Sequence, residues 1–325
     1  MIRARAVAVA LAAVLGARAA EPEQAAMAVR SDPAGERYTI YEGTRAVLTY
    51  NFGAVPVPQG VTGKYAVARS DYVHPLYGPN GEVLTKDYSP DHAHHRGLYW
   101  AWPEVSYKGE TRDLHALQGV FARPVRIVRQ EAAADAAVLE AENVWKWGDQ
   151  EEIVREFATI RASRWKDGAR SVDFQFRILA LVDGVTVARR GQAHYGGFNV
   201  RLSSRAKQKI VFFTDPPSPP LTKGGIEGGE LPARRAWGDV CGIPPEGKAP
   251  IGVAILQNAA NPDYPGDWIQ YPELNWLQPT FPAAKKAYPL SRETPLLLSY
   301  RLVIHEGEWT AEQLAAQWAA YNPRP

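Results

Sequence analysis

The spacing of apolar residues along 171–178 constrains this chain more than any other feature. Val172, Phe174, Phe176 and Ile178 alternate with Ser171, Asp173, Gln175 and Arg177. A period of two gathers one set on one face of an extended strand, whereas a helix would scatter them around its axis. Leu298, Tyr300, Leu302 and Ile304 repeat the pattern near the C-terminus. Further strands are expected over 38–41, 45–50, 125–129, 137–143, 153–161, 209–213 and 251–256, separated by Gly, Pro and Asp turns. No regular helices intervene, which excludes a doubly wound α/β fold. The expected architecture is mainly β: a large antiparallel β-supersandwich.

One helix stands apart from this pattern. Thr310 is placed to cap it, Gln313 sits at the reciprocal capping-box position, and Leu314, Trp318 and Tyr321 follow at helical spacing. Pro323 ends it. Its apolar side should pack on the sandwich, with Glu312 and Gln313 wetter, so its expected role is structural.

The N-terminus reads as an export signal. Arg3 and Arg5 precede an uncharged, largely apolar run over 6–15, and Ala17 and Ala19, on either side of Arg18, supply small residues for cleavage. The run is too short for a stable membrane span, and no later stretch suffices. Residues 1–19 are therefore expected to be a secretory signal peptide, and 25–325 a single β-sandwich domain, periplasmic or extracellular. The formal charge of +2 includes Arg3, Arg5 and Arg18, so their removal leaves about −1. No Lys/Arg stripe runs along the rest, so nucleic acid is an unsuitable partner and integral membrane association is not expected. Cys241 is the single cysteine, which excludes an intrachain disulfide and reads as packed rather than reactive.

No tandem repeat is present. The proline-rich 216–220 reads as a stiff exposed loop, and the glycine pairs at 224–225 and 228–229 as a further loop. The latter lacks the lysine and helix pattern of a phosphate-binding motif.

The densest chemistry lies over 91–102. Asp91, His92, His94, His95 and Arg96 are followed by Trp100 and Trp102, and three of the seven histidines fall within four residues. On a strand, His92 and His94 share a side and His95 takes the other; in a turn all three converge. Histidine exchanges protons near neutral pH, and Arg96 could hold a carboxylate or stabilise a developing oxyanion. Trp100 and Trp102 share strand parity, as a flat wall for a sugar or as core. His74, in a proline-bent segment, and His194, close to Gly196, Gly197 and Asn199, could join this site. His115 and His305 have weaker contexts and receive no reaction. No cofactor is required, but the cluster leaves a divalent metal as an alternative, with Asp91 as a ligand or an orienting group. Iron–sulfur and haem sites do not fit a single cysteine without an attachment motif.

A second aromatic region spans 261–276. Trp268, Tyr271 and Trp276 could stack on sugar rings; Asp263, Asp267 and Glu273 could bond hydroxyls, and Glu273 could act as a base. The alternative is a loop that covers a sheet edge. The density of Trp, Tyr and Asp favours a carbohydrate or polyhydroxylated small molecule as ligand. The pattern leaves the oligomeric state open.

The segments 72–76, 91–98, 261–268 and 298–307 resemble a family of unknown function called methane oxygenase PmoA-like. Ala93 stands where that motif usually has proline. The resemblance covers most of the chain after the leader. The methane-oxygenase label conflicts with the absence of membrane spans. The resemblance implies a supersandwich related to sugar mutarotases, in which a histidine acid and a carboxylate base act around ring opening. His194 and Glu273 are candidates for those roles, in competition with the 92–95 cluster. The expected function is acid/base chemistry on a glycoside or sugar, by hydrolysis or by isomerisation of the epimerase/mutarotase kind. A noncatalytic carbohydrate-binding protein is the alternative.

Overall fold

A computed structural model describes residues 26–89, 92–212 and 234–323. The leader, Asp91, the 216–220 loop and the glycine pairs at 224–229 lie outside them. Two eight-stranded sheets carry the architecture. The first runs Met27–Ser31, Arg37–Glu42, Arg45–Asn51, Tyr72–Leu76, Leu98–Ala101, Gly197–Arg201, Trp276–Pro279 and Trp268–Tyr271. The second runs Val120–Ala132, Ala136–Trp147, Glu151–Ser163, Ala169–Ala180, Leu296–Glu306, Ile251–Gln257, Trp237–Ile243 and Ala206–Phe212. Among the described residues the strand pairings are antiparallel, as in Ala169–Ala180 against Leu296–Glu306. The fold is therefore the expected mainly β supersandwich.

The alternation that defines the strands also defines the core. Val172, Phe174, Phe176 and Ile178 are buried, and the register sets Phe174 opposite Tyr300 and Phe176 opposite Leu298. Phe176 meets Trp100 of the facing sheet with ring centroids 4.3 Å apart, and Phe198 stacks on Tyr300 at 5.0 Å. On the outer side of the same strands Arg301 pairs with Asp173.

The helix Ala311–Tyr321 packs on the outer face of the second sheet. Thr310 Oγ1 accepts from the Gln313 backbone, and the Gln313 side chain accepts from the Thr310 backbone. Leu314 is fully buried against Trp237, Leu256 and Val303. Burying a leucine in this way contributes about 1.5–3 kcal/mol, which explains why Val303 and Leu256 break their strands' alternation. Cys241 is packed as expected, and burial pushes its thiol up to about 12.

Residues 268–279 are not a loop over a sheet edge but the edge itself. They form a hairpin at the edge of the first sheet, Trp268–Tyr271 and Trp276–Pro279, joined by a short 3₁₀ turn with Asn275 in the left-handed region (φ 51°). Asparagine tolerates that conformation, so the turn closes without glycine. No helix of the described residues is long and apolar enough to cross a membrane.

A histidine cluster and a polar cavity on the outer face of the first sheet

Pleating decides which side chains leave the sandwich. Val73 lies opposite both Tyr50 and Leu98, and all three are buried apolar positions of the core. Their neighbours therefore point outward: Asn51 opposite Tyr72, Tyr99 opposite Asn199, and Arg201 opposite Trp276. His74 shares parity with Tyr72.

A small hairpin, Asp87–Ser89 with His92–Arg96, precedes the Leu98–Ala101 strand. Gly97 joins the two at φ 55°, and a Cβ there would stand 2.3 Å from the Val73 carbonyl oxygen. Only glycine lets the chain turn at this point.

The turn brings His94 and His95 together with His115, and one potential ligating nitrogen from each lies within 4.8 Å of the others. Ring centroids are 4.5 Å apart for His94–His95 and 5.3 Å for His94–His115. His92 is half-buried and stacks on His95 at 4.7 Å, so the segment converges as a turn would, instead of dividing its histidines between two sides. Trp276 packs on His95 at 4.6 Å, and Tyr195 on His115 at 4.8 Å. His95 and His115 are buried, and His94 is half-buried.

Burial is the first cause that lowers the basicity of all three. It takes His94 to about 3, with Arg69, His92, Arg190 and Arg201 adding repulsion. It also holds His95 and His115 well below the ordinary histidine range. Each ring is therefore neutral near pH 7 and offers a lone pair. His115 Nε2 sits 2.8 Å from the Tyr99 hydroxyl and 3.1 Å from Asn199 Oδ1, while Asn199 Nδ2 donates to the Gly197 carbonyl at 2.8 Å. Such a cluster could coordinate a metal ion.

Beside it lies a cavity of about 570 Å³ whose lining includes Thr39, Thr49, Asn51, Tyr72, His74 and Asp87. His74 Nδ1 is 2.9 Å from Thr85 Oγ1, and burial lowers its pKa, so it too is neutral near pH 7. Arg96 forms the wall behind Asp87. It is fully buried, makes a two-point ion pair with Asp87, donates to the Tyr72 hydroxyl, and lies over the Tyr72 and Tyr88 rings.

Several expected site residues occupy other positions. Arg96 is held by Asp87 and Tyr72 through Nε and Nη2, behind the cavity and not among its lining residues. Trp100 and Trp102 face inward and donate to Glu156 and to the Phe281 carbonyl. Trp268 is fully buried and donates to the Arg235 carbonyl. With no exposed ring face, these three tryptophans form no sugar wall. Asp267 is held by the buried Arg189 at 2.7 Å and accepts from the Ala284 backbone, which makes it a structural anchor. His194 and Glu273 are both exposed. His194 lies on the turn whose next residue, Tyr195, is the one that reaches His115. Asn199 does join the histidines, and Tyr271 stacks on Trp276 at 5.2 Å. Sequence reasoning passed over His115, Tyr99, Tyr195 and Asp87. His115 has no local motif, and only pairing of distant strands places it over Tyr99 and Asn199.

Fold and site together define an antiparallel β-sandwich protein with a half-enclosed polar face. A model of the family described as "Family of unknown function (DUF6807)" matches residues 37–319, and the chain belongs to that family. A search of curated protein sequences finds no match. Among solved structures it is similar to the GH36 α-galactosidase AgaB from Geobacillus stearothermophilus (TM-score 0.37, 9% identity), over 86% of this chain and 41% of that one. It is also similar to a galactose mutarotase related enzyme from Lactobacillus acidophilus (TM-score 0.37, 8% identity; 87% and 100% covered). A third is a putative mutarotase, YeaD, from Salmonella typhimurium (TM-score 0.33, 8% identity; 86% and 90% covered). The chain thus spans less than half of the α-galactosidase's length.

Proposed function

We propose that this protein is a carbohydrate-active enzyme that performs acid/base chemistry on a glycoside or sugar bound in the cavity beside His74. The observation that carries this reading is the cavity's lining. A space of about 570 Å³ lies within the size range of small-molecule sites. Its walls combine the hydroxyls of Thr39, Thr49 and Tyr72, the amide of Asn51, the His74 imidazole, the carboxylates of Asp32 and Asp87 and the guanidinium groups of Arg30 and Arg37. That is a donor and acceptor set suited to several hydroxyl groups on one ligand. His74, neutral near pH 7, accepts the proton in the reacting step and returns it. Asp87, fixed by Arg96, orients the hydroxyls.

The test is turnover of a panel of mono- and disaccharides. Anomeric or epimeric exchange is followed by NMR and glycoside cleavage by release of reducing ends. At least one substrate should turn over, and His74→Gln should lower kcat by about 10²–10⁴-fold, the usual contribution of a positioned acid/base group, with the melting temperature unchanged. Binding without turnover would replace this reading with that of a noncatalytic carbohydrate-binding protein. Absence of binding across the panel would overturn both.

A further inference from the structure

We infer that His94, His95 and His115 form a binding site for a first-row divalent metal ion of the zinc type. This inference is independent of the sugar reading and concerns different residues.

Three observations carry it. The first is convergence: three imidazoles from two separate segments place their ligating nitrogens within 4.8 Å of one another. Three nitrogens bound tetrahedrally at about 2.1 Å stand roughly 3.4 Å apart, so small ring rotations complete the site.

The second is an unmet demand. Nδ1 of each of the three histidines is buried with no hydrogen-bond partner in the protein. Buried polar atoms are rarely left in that state, and three together point to a shared partner.

The third is the state in which His115 is held. Gly197 presents a carbonyl, which requires the NH₂ end of the Asn199 amide, and this turns Asn199 Oδ1 toward His115 Nε2. An acceptor facing that nitrogen selects the tautomer with the proton on Nε2. Nδ1 then carries an in-plane lone pair, as a metal ligand requires. Asn199 and Tyr99 act as the outer partners that commonly orient a ligating histidine.

Three nearby arginines oppose a cation. Arg190 is paired with Asp113, Arg69 donates to the carbonyls of Leu114 and His115 and lies over the Tyr99 ring, and Arg201 donates to Ser89 Oγ, so the charge of Arg190 is offset and the other two are directed onto neutral acceptors. Three neutral nitrogens leave a fourth position for solvent or an anion, the arrangement of an open site. Imidazole ligands without thiolate suit zinc, copper, nickel or iron better than calcium or magnesium.

The experiment uses the untagged full chain, purified without chelator. Its metal content is measured by elemental mass spectrometry, then it is stripped and titrated with Zn²⁺ and with Co²⁺, whose visible spectrum reports the coordination. One equivalent per chain is expected, with a Co²⁺ spectrum of nitrogen coordination. His115→Ala and His95→Ala should each weaken Zn²⁺ binding at least 100-fold. Asn199→Ala, which removes no ligand, should weaken it by about 10–100-fold. His94→Gln, at the half-buried position, provides the same loss where a core variant fails to fold. His74→Gln should retain full binding, which separates this result from the sugar assay. Less than a tenth of an equivalent in the wild type, or unchanged affinity in the folded histidine variants, would overturn the site.

Discussion

Two carboxyl groups lie between the sheets, and their shared proton should govern how stability varies with pH. Asp71 Oδ1 accepts from the Tyr50 hydroxyl at 2.8 Å and from Asn143 Nδ2 at 2.9 Å. Glu156 accepts from the indoles of Trp100 and Trp145, one from each sheet. The two carboxyls are 4% and 0% exposed and hydrogen-bond to each other. Burial pushes Asp71 up to about 6, against relief from Glu156, Tyr50, Arg69 and Asn143; it pushes Glu156 well above the usual carboxylate range. The folded chain therefore holds the Asp71 proton more tightly than the unfolded chain does. Its stabilising contribution is complete below about pH 4 and is lost as the pH rises through about 6. A shift of about 2 pH units amounts to roughly 3 kcal/mol. Asp71→Asn removes this titration while keeping the shape, and asparagine tolerates the φ of 63° at this position. Its amide oxygen can still accept from Tyr50 and Asn143, and its NH₂ can donate to Glu156. Urea unfolding, followed by tryptophan fluorescence between pH 4 and pH 8, should show the variant gaining about 2–3 kcal/mol relative to the wild type across that range, with equal m values. Parallel curves, with a difference constant to about 0.5 kcal/mol, would refute the argument.

Gly97→Ala should cost more than about 2 kcal/mol in the same urea assay, because it adds left-handed strain of about 1–2 kcal/mol to a 2.3 Å approach to the Val73 carbonyl; an unchanged midpoint would show that the hairpin can shift freely. We also propose that the chain is exported and loses its first 19 residues, on the basic–apolar–small order of the leader. Intact mass of the protein from its native host should show the shortened chain, and a full-length mass would contradict export.

The fold was legible because strand alternation and burial are the same fact seen at two scales. Once Val172, Phe174, Phe176 and Ile178 share a face, that face must be covered, and the only comparable surfaces in the sequence are other alternating strands. The helix was equally legible, since its cap and its apolar stripe are local. Residues 261–276 were harder to read. A loop over a sheet edge was one alternative, yet Pro272 opens a single 3₁₀ turn, where a missing N–H costs little, and the turn joins the edge strand Trp268–Tyr271 to the inner strand Trp276–Pro279.

The site was legible only where chemistry clusters along the chain. The density of histidine over 92–95 marked the right place, but density does not say what a side chain faces. Trp100 and Tyr99 are adjacent, and the pleat sends the first to Glu156 in the core and the second to His115 on the outer face. The same rule separates Arg201 from Val200. A reader of the sequence who fixed that parity from Leu98, an apolar residue that must face inward, could have assigned Tyr99 outward and Trp100 inward. His115 is beyond such reasoning. It lies 16 residues from Tyr99 and 84 from Asn199, its two hydrogen-bond partners. It reaches them because the 113–118 turn folds back over the sheet, with Asp113 and Gln118 closing on each other. A local motif can announce one segment of a site, but a site assembled across strands becomes visible only when their register is known.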